Sequence, residues 1–482
     1  MTFAITAAAT TAATLDKPDA LALAADPASF APFVQPSLDA VGDMRTRMQG
    51  AGQWTPEQMA GRRWAVACVS LEVTQRCNLD CTLCYLSESA ESVRDFPLEE
   101  VFRRIDIIAD HYGAGTDVQV SGGEPTLRKR EELIAIVQRL ASKGLRPALL
   151  TNGIRATREL LSELAQAGLM DVAFHVDTTQ QRSGYATEAD LNALRSEYIN
   201  RARGLPISVF FNTTVHAENF DDVPMLSAFF VANADVVRFA SFQLQAETGR
   251  GVLGARTELI ANHSVAQRLE RGTGTPLKFN VLKAGHHECN RSAVMLVVNG
   301  RAFDAFEDAA FVQRFMRETA HLQIDRGTPW RAVMSLLSAG LANPSLCAAA
   351  LAWGAGLLWR MKAELLQARG RVYKLTLFTH NFMDACHLET DRVHACVFMA
   401  ITQDGPLSMC AYNAQRDSYL LKPLKTSAGE WQPLAPGHKL NAHGAANVIA
   451  SVPIKWLKGR GRRAALAERS AATEANDAVC QP

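Results

Sequence analysis

Runs of apolar residues alternate with amphipathic stretches along the chain from residue 63 to residue 272. Each apolar or alternating run has the length of a β-strand, and each is followed by apolar residues at helical spacing. The pattern predicts strands at 69–74, 117–120, 147–151, 171–176, 207–215 and 236–244. It predicts helices at 98–111, 130–142, 158–167, 188–203, 223–231 and 258–271. We therefore expect six successive strand–helix units.

Repeated strand–helix units favour parallel strands with right-handed crossovers, in an open sheet or a barrel. Six units are two fewer than the eight of a complete TIM barrel. We expect an α/β fold in which residues 63–272 form a partial (β/α)6 TIM-like barrel. In such folds the reacting groups lie at the C-terminal ends of the strands.

The pattern changes after residue 273. Short strands are predicted at 277–282, 293–298, 372–379 and 397–402, around a helical insert at 304–367. We expect residues 273–452 to form a C-terminal α+β domain. An Ala- and Pro-rich leader at 1–62 is expected to be partly ordered, and a basic tail at 453–482 is expected to be flexible.

Charge and composition exclude some classes of function. A net charge of +1 gives no electrostatic basis for nucleic acid as the main partner. The N-terminus lacks a basic region before an apolar run, so no signal peptide is expected. Asn343 and Pro344 interrupt the apolar stretch 335–359, which favours a buried helical hairpin over a membrane span. We expect a cytoplasmic chain, and the basic tail around Trp456 leaves contact with the membrane surface open.

Three cysteines follow the first predicted strand in the spacing C-x3-C-x2-C: Cys77, Cys81 and Cys84. Thiolates suit iron–sulfur clusters, and one tight loop can place three of them around a cube. Three ligands leave one iron open to a non-protein ligand such as S-adenosylmethionine (SAM). The alternative is a zinc site, but zinc usually takes four ligands in paired C-x2-C units. Ten cysteines are too few for a disulfide scaffold in a chain of this length.

Polar residues follow several of the other predicted strands. The sequence Gly122-Gly123-Glu124-Pro125 ends the second strand, where glycines allow close approach of a ligand and carbonyls or Glu124 can meet an ammonium group. Further polar positions at strand ends are Asn152, Asp177, Asn212 and Gln243. They are candidates for binding a cofactor or substrate, and the alternative is helix capping or a tight turn.

The triad, Tyr85 and the sequence Gly122-Gly123-Glu124-Pro125 resemble the radical SAM superfamily over residues 66–250. The resemblance implies a [4Fe–4S] cluster on Cys77, Cys81 and Cys84, and SAM as the second cofactor. It implies that SAM binds near Tyr85, Gly122, Gly123, Glu124 and Pro125, with Asn152 and Asp177 as further contacts. Such enzymes cleave SAM reductively to a 5′-deoxyadenosyl radical and need an electron donor such as flavodoxin or ferredoxin.

A second set of cysteines lies in the C-terminal region: Cys289, Cys386, Cys396 and Cys410. The turn at 403–406 predicts a hairpin between Cys396 and Cys410, which would bring two thiols together at its base. We expect Cys289, Cys396 and Cys410 to bind a second cluster, with Cys386 as a possible fourth ligand. His286 or His287 could replace it. The alternative is that each cysteine is a small buried apolar residue.

A narrower resemblance supports the second cluster. Segments around Phe242, Thr248-Gly249-Arg250, Cys289, residues 381–384 and residues 396–413 resemble the class D radical SAM methylases and tetraether-lipid-synthase-like proteins. These relatives act on a pterin precursor or on lipids, carry auxiliary clusters and form carbon–carbon bonds at unactivated carbons. This chain departs from them in having no cysteine before Cys68.

Three functions remain open. The leading one is a radical SAM enzyme that activates a C–H bond for alkylation or C–C coupling on a lipid or small apolar molecule. The apolar run 348–359, with Phe229, Phe230 and Phe242, is expected to provide apolar surface for that substrate. The second is a radical SAM peptide maturase, whose cluster domains usually hold more cysteines. The third is a non-catalytic iron–sulfur redox or sensor protein, which would need the triad but not the glycine pair.

Overall fold

A computed structural model describes residues 40–59, 66–87, 90–249, 259–322 and 329–434. The predicted leader falls outside these ranges except for residues 40–59, where α1 (Ala40–Gly50) lies. The predicted basic tail, and with it the expected membrane contact of residues 453–482, lies entirely outside the described residues.

The first part of the chain alternates strands and helices, as the pattern predicts. The strands are β1 (Cys68–Thr74), β2 (Asp117–Gly122), β3 (Arg146–Thr151), β4 (Asp171–His175), β5 (Ser208–Val215) and β6 (Val237–Leu244). The helices that follow them are α2 (Leu98–Tyr112), α3 (Arg130–Ser142), α4 (Arg158–Gln166), α5 (Glu188–Ala202), α6 (Val223–Ala232) and α7 (Asn262–Thr273). The α/β class and the strand–helix units of the barrel are therefore confirmed.

The second part is mixed. Its strands are β7 (Asn290–Val298), β8 (Arg301–Asp304), β9 (Tyr373–Asn381), β10 (Phe398–Thr402), β11 (Gly405–Ser408), β12 (Leu424–Thr426) and β13 (Gly429–Trp431). Its helices are α8 (Ala309–Glu318), α9 (Pro329–Ala342), α10 (Pro344–Gln367), α11 (Thr390–His394), α12 (Met409–Ala414) and α13 (Arg416–Leu420). Helices α8 to α10 form the predicted insert.

The strands after residue 273 extend the barrel sheet at both ends. Within the described residues the sheet has eleven strands in the order β11-β10-β1-β2-β3-β4-β5-β6-β9-β7-β8. Strand β10 runs parallel to β1, and β9 runs parallel to β6. Two parallel strands from the C-terminal region thus flank the six predicted ones. An edge strand offers unpaired backbone groups, and here later segments of the same chain pair with them.

The sheet curves until strands β9 and β10, which flank its parallel part, approach each other. The ring of Phe398 on β10 lies 6.0 Å from the ring of Phe378 and 4.6 Å from that of His380, both on β9. Side chains rather than hydrogen bonds therefore join β9 to β10. The eight parallel strands thus form a partial barrel, and the gap between β9 and β10 is its seam.

Alternation along β1 shows how the barrel separates its two faces. Val69, Leu71 and Val73 are fully buried in the main apolar core. Ser70 and Glu72, on the opposite face of the strand, line a cavity. Because successive side chains of a strand point to opposite faces, one strand supplies both the core and the polar interior.

The strand predicted at 277–282 is wrong. This segment forms turns after α7, although Leu277 and Phe279 are buried. Its backbone N–H groups find side-chain acceptors: Leu277 N donates to Glu270 Oε1 at 3.2 Å and Lys278 N to Asp304 Oδ2 at 3.1 Å. Buried and exposed residues alternate in this segment as they do in a strand. Its backbone N–H groups, however, bond to carboxylates instead of to a neighbouring strand.

The prediction that residues 335–359 form a buried hairpin is half right. Helices α9 and α10 form a hairpin, and α10 packs Leu357 and Met361 against Val298 and Phe303. The remaining faces are exposed, as at Leu341 (84%) and Trp359 (70%). The cause is that β7 and β8 at the sheet edge cover only one side of α10. Across the described ranges, every helix is too short or too polar to cross a membrane.

Candidate active site and metal centres

Residues 75–87 form the cluster loop, which carries the cysteine triad away from the end of β1. Cys77 is buried, and Cys81 and Cys84 are partly exposed. Burial, followed by the nearby thiols of Cys84 and Cys77, raises the pKa of Cys81 well above its usual range. Thr82 N donates to Thr179 O at 2.9 Å, which fastens the loop to the turn after β4. The triad is therefore gathered at the C-terminal ends of the strands.

The triad offers three thiols from one short loop. Among the described residues, no group of three or more His, Cys, Asp or Glu side chains is arranged to hold one metal ion. In a [4Fe–4S] cluster each thiolate binds a different iron, so its ligands stand farther apart than those of a zinc ion. Three free thiols on one loop fit a cubane cluster.

The two glycines after β2 are required by contact with the cluster loop. Gly123 N donates to Thr74 O at 2.9 Å, and Glu124 N donates to Arg76 O at 2.8 Å. A Cβ atom on Gly122 would lie 2.0 Å from the carbonyl oxygen of Thr74, and one on Gly123 would lie 2.3 Å from that of Arg76. Gly122 also has a φ of 120°. No other residue type fits this contact.

Glu124 supports the loops from beneath. Its carboxylate is fully buried and accepts hydrogen bonds from Thr126 N at 3.1 Å, Thr126 Oγ1 at 2.6 Å and Thr151 Oγ1 at 2.7 Å. Its second oxygen accepts from Asn152 N at 2.7 Å. Both oxygens thus face the chain itself. The contact of Glu124 or of nearby carbonyls with an ammonium group stays a prediction.

Tyr85 links the cluster loop to the same glycine pair. Its phenol donates to the carbonyl oxygen of Gly122 at 2.6 Å. Burial raises the pKa of Tyr85, so the phenol stays protonated and keeps this donor. Gly249 packs closely against the backbone of Tyr85. A Cβ atom added to Gly249 would lie 2.3 Å from the Tyr85 carbonyl oxygen.

Asn152 and Asp177 make hydrogen bonds both within their own turns and to neighbouring segments. Asn152 Nδ2 donates to Asn78 Oδ1 of the cluster loop at 2.7 Å, and Asn152 Oδ1 accepts from Ile154 N at 3.0 Å. Asp177 caps the turn after β4. Burial acts to raise its pKa, but the His175 charge and hydrogen bonds from His175, Thr179 and Thr214 lower it on balance. Both side chains thus have the structural role that the capping alternative describes, and their contact with SAM stays a prediction.

A cavity of about 120 Å³ opens inside the barrel between the cluster loop and the strand ends. Asn212 and Gln243 line it, as the strand-end argument expects. Its other lining residues that carry polar groups or sulfur include Glu72, Cys84, Tyr85, His175, Met409 and Asn413. Cys84 of the triad thus shares a cavity with the polar strand ends.

One ion pair at this cavity could not be predicted from the sequence. Arg416 and Glu72 form a buried salt bridge, with 2% and 4% of their side chains exposed. Tyr412 Oη donates to Glu72 Oε2 at 2.9 Å, and Gln75 Nε2 donates to the same oxygen at 2.8 Å. The Arg416 guanidinium lies 4.6 Å from the centre of the Tyr85 ring. The pair joins β1 to the C-terminal helices at the cavity wall.

The structure brings Cys289, Cys396 and Cys410 together at the seam of the barrel. Burial raises the pKa of the Cys289 thiol to about 11. Burial, then the neighbouring Cys396 and Cys289, raises that of Cys410. The hairpin register pairs Met399 with Ser408, which leaves Cys396 and Cys410 side by side at its base. The three thiols are close enough to influence one another.

Hydrogen-bond donors point at two of these sulfurs. Arg392 Nε donates to Cys289 Sγ at 3.3 Å, and Met383 N donates to Cys410 Sγ at 3.5 Å. Met409 and Asn413, which flank Cys410, line the barrel cavity. This second set of thiols therefore stands beside the same cavity as the triad.

Two of the candidates for a fourth ligand, Cys386 and His286, have other partners in this structure. Cys386 is disulfide-bonded, so the structure does not offer its sulfur to a metal. His286 uses both ring nitrogens, since Nε2 lies 3.0 Å from Asp391 Oδ2 and Nδ1 accepts from Glu288 N at 3.2 Å. His287 is two-thirds exposed. The second cluster and the role of Cys386 as its possible fourth ligand stay predictions.

Comparison with known proteins agrees with the motif geometry. The family model described as the radical SAM superfamily matches residues 71–229, which span β1 to α6. This segment contains the cluster loop and the glycine pair. The chain therefore carries a radical SAM domain, and this superfamily implies a [4Fe–4S] cluster and SAM as cofactors.

Two curated proteins are similar to part of the chain. A PqqA peptide cyclase of Bradyrhizobium diazoefficiens is 32% identical over 159 residues, covering 32% of this chain and 41% of the relative. A 7,8-dihydro-6-hydroxymethylpterin dimethyltransferase of Methanocaldococcus jannaschii is 27% identical over 187 residues, covering 38% of this chain and 37% of the relative. The chain thus matches less than half the length of each relative.

Among solved structures, Streptococcus suis SuiB bound to the precursor peptide SuiA is 16% identical, with a TM-score of 0.32 over 42% of this chain and 45% of that one. The radical SAM methyltransferase TsrM of Kitasatospora setae is 17% identical, with a TM-score of 0.29 over 37% of each chain. Scores this low carry no argument about function.

Proposed function

We propose that this chain is a radical SAM enzyme that abstracts hydrogen from an unactivated C–H bond and thereby alkylates, or forms a C–C bond on, a lipid or small apolar substrate. The observation that carries the proposal is the packing of the glycine pair directly on the cluster loop. A protein that used the triad for electron storage alone would not need this contact beside a cavity.

The chain's own residues have distinct tasks in this proposal. Cys77, Cys81 and Cys84 hold the cluster, and carbonyls around Gly122 and Gly123 receive the ammonium group of SAM. When bound there and given one electron by the donor, the cluster and SAM would supply the 5′-deoxyadenosyl radical, with methionine as the other product. Pro125 starts the turn that fixes this loop.

Other side chains position the site. Tyr85 orients the Gly122 carbonyl, while Glu124 and Asn152 hold the supporting loops in register. Asp177 holds the turn that anchors the cluster loop. Asn212 and Gln243 are left to contact SAM or substrate inside the cavity.

A second cluster on Cys289, Cys396 and Cys410 is part of the proposal. N–H groups directed at ligand sulfurs and a nearby guanidinium are typical means of stabilising and tuning an iron–sulfur cluster. Arg392 and the backbone of Met383 provide both here. With three protein ligands, one corner of this cluster would remain open for an exogenous ligand.

The apolar surface that the sequence suggested for the substrate does not lie at the cavity. Phe230 and Phe242 are buried in an aromatic stack within the core, with ring centroids 6.2 Å apart. The run 348–359 belongs to α10 in the insert. Support for an apolar substrate comes instead from the resemblance to tetraether-lipid-synthase-like proteins and from the apolar cavity residues Leu150, Leu244 and Phe382.

The substrate class is tested by stimulation of 5′-deoxyadenosine release. Anaerobically reconstituted protein is supplied with SAM, dithionite and one of three pools: lipid extract, aqueous metabolites including pterins, or peptides. We expect lipid extract to stimulate release at least about tenfold, since each buried methylene contributes about 0.8 kcal/mol. Stimulation by peptides alone would replace the proposal with peptide maturation.

The same assay separates an enzyme from a redox protein. Release of 5′-deoxyadenosine without any pool, however slow, requires SAM cleavage, which a non-catalytic iron–sulfur protein does not perform. The physiological reductant is proposed to be a flavodoxin or ferredoxin, which should replace dithionite in the assay.

A further inference from the structure

Exposed apolar side chains are concentrated in the α9–α10 hairpin. Most of the large apolar residues that are at least two-fifths exposed in the described chain lie between residues 329 and 367. They are Trp330, Val333, Met334, Leu337, Leu341, Leu351, Leu358, Trp359 and Leu366. Contiguous exposed apolar surface of this kind marks an interaction site rather than ordinary surface.

The exposed residues of α9 form one continuous stripe. Trp330, Val333, Met334, Leu337 and Leu341 recur at spacings of three or four residues, so they lie along a single helix face. Each of them is more than half exposed. An amphipathic helix that belongs to a protein core turns this face inwards, and α9 turns it outwards.

Helix α10 is apolar on two faces. One face contributes Leu346, Leu357 and Met361, which are buried. A second stripe of Leu351, Leu358 and Leu366, beside Trp359, remains in solvent at exposures of 57–82%. The first face is explained by packing on the sheet edge. The second stripe has no such explanation.

Cations outnumber carboxylates on and just after the hairpin, although Arg360 is paired with Glu307 from outside it. Residues 329–371 contain the cations Arg331, Arg360, Lys362, Arg369 and Arg371 and the single carboxylate Glu364. Glu364 is neutralised by Arg301 from β8 at 2.7 Å. Lys362 Nζ lies 3.4 Å from the centre of the Trp359 ring, and the Arg331 guanidinium lies 5.7 Å from that of Trp330. Both exposed tryptophans therefore have a cation beside them.

We propose that the α9–α10 hairpin binds the surface of an anionic lipid bilayer. Tryptophan, leucine and flanking lysine or arginine are the composition of helices that lie in the plane of the interface, with apolar side chains in the acyl boundary and cations at the headgroups. Neither helix is able to span the membrane, so the hairpin lies on it. This inference stands independently of the proposed reaction.

A bilayer fits this surface better than a second copy of the chain does. A homodimer interface would gather these cations against one another across its two-fold axis, at an electrostatic cost. An anionic leaflet instead attracts each cation near its surface.

Vesicle co-sedimentation of the full chain tests the proposal. Vesicles of phosphatidylglycerol and phosphatidylcholine in equal amounts are compared with vesicles of phosphatidylcholine alone. We expect the protein to bind the anionic vesicles and to bind the neutral ones at least about tenfold more weakly. Leu341→Glu should reduce binding to anionic vesicles by at least about tenfold.

Leu259→Glu is the matched control, because Leu259 is 85% exposed and Leu341 is 84% exposed. The control should bind vesicles as the unaltered chain does. The proposal is overturned if the chain binds no vesicles, or if both variants lose binding equally. It is also overturned if analytical ultracentrifugation without lipid finds a dimer that Leu341→Glu dissociates, because the hairpin is then an interface between copies.

Discussion

The phenol of Tyr85 donates a 2.6 Å hydrogen bond to the carbonyl oxygen of Gly122. This bond connects the loop that carries the cysteine triad to the glycine pair that packs on it. The two motifs lie 37 residues apart in sequence and belong to different strand–helix units. The bond therefore holds in one geometry the proposed sites of the cluster and of the SAM ammonium group.

Tyr85→Phe should weaken SAM binding while leaving the iron content unchanged. The substitution removes one hydrogen bond of about 1 kcal/mol, which corresponds to roughly a fivefold rise in the dissociation constant for SAM. Equilibrium binding to the reconstituted protein measures it. Tyr373→Phe, on β9 and outside the residues that line the cavity, serves as the control. An unchanged dissociation constant would mean that Tyr85 does not shape the SAM site.

Glu72→Gln should destabilise the fold because it leaves the Arg416 guanidinium buried without its counter-charge. Breaking a buried ion pair in this way costs about 3–5 kcal/mol. Glu163→Gln, in the exposed pair with Arg130, should cost less than about 1 kcal/mol. Chemical denaturation of the chain measures both. The double variant Glu72→Gln/Arg416→Gln should lose less free energy of unfolding than the two single variants lose together. If the two losses add strictly, the two side chains are not coupled.

The second thiol set should double the iron content. Two cubane clusters hold about eight iron atoms per chain, because each contains four. Replacing Cys289, Cys396 and Cys410 with alanine should remove half of them, as measured by iron analysis and Mössbauer spectroscopy. Four iron atoms in the unaltered chain would show that these cysteines are structural.

Arg392→Gln should lower the reduction potential of the second cluster. A positive charge and an N–H group beside the Cys289 sulfur favour the reduced, more negative cluster, so their removal favours the oxidised form. The expected shift is on the order of tens of millivolts. An EPR-monitored titration in a Cys81→Ala background isolates this cluster. An unchanged reduction potential would show that Arg392 does not act on the second cluster.

Most of the fold can be predicted from local patterns of apolar and polar residues. The helix predicted at 130–142 is α3 residue for residue, and the six barrel strands fall within two residues of their predicted ends. The period of apolar residues shows which face of a helix or strand is buried, and it therefore identifies helices and strands well. It does not report pairing partners. The joining of β9 and β10 to the barrel sheet, and the failure of the strand at 277–282, both follow from that limit.

The site is predictable only where its residues are close in sequence. The triad and the glycine pair are short motifs with chemistry of their own. The Glu72–Arg416 pair joins positions 344 residues apart, and no local signal marks either one. Glu124 is identified in the sequence as a possible ligand for an ammonium group, yet its oxygens are taken by Thr126, Thr151 and Asn152. Which hydrogen bonds a buried carboxylate makes depends on tertiary structure.

Reductive cleavage of SAM by the unaltered chain and by Cys81→Ala tests the central claim most directly. Both proteins are reconstituted anaerobically, and 5′-deoxyadenosine is quantified after incubation with SAM and dithionite. We predict that the unaltered chain releases 5′-deoxyadenosine, and that Cys81→Ala releases none while keeping its fold by circular dichroism. Substantial release by Cys81→Ala, or none by the unaltered chain with its full iron content, would contradict the account.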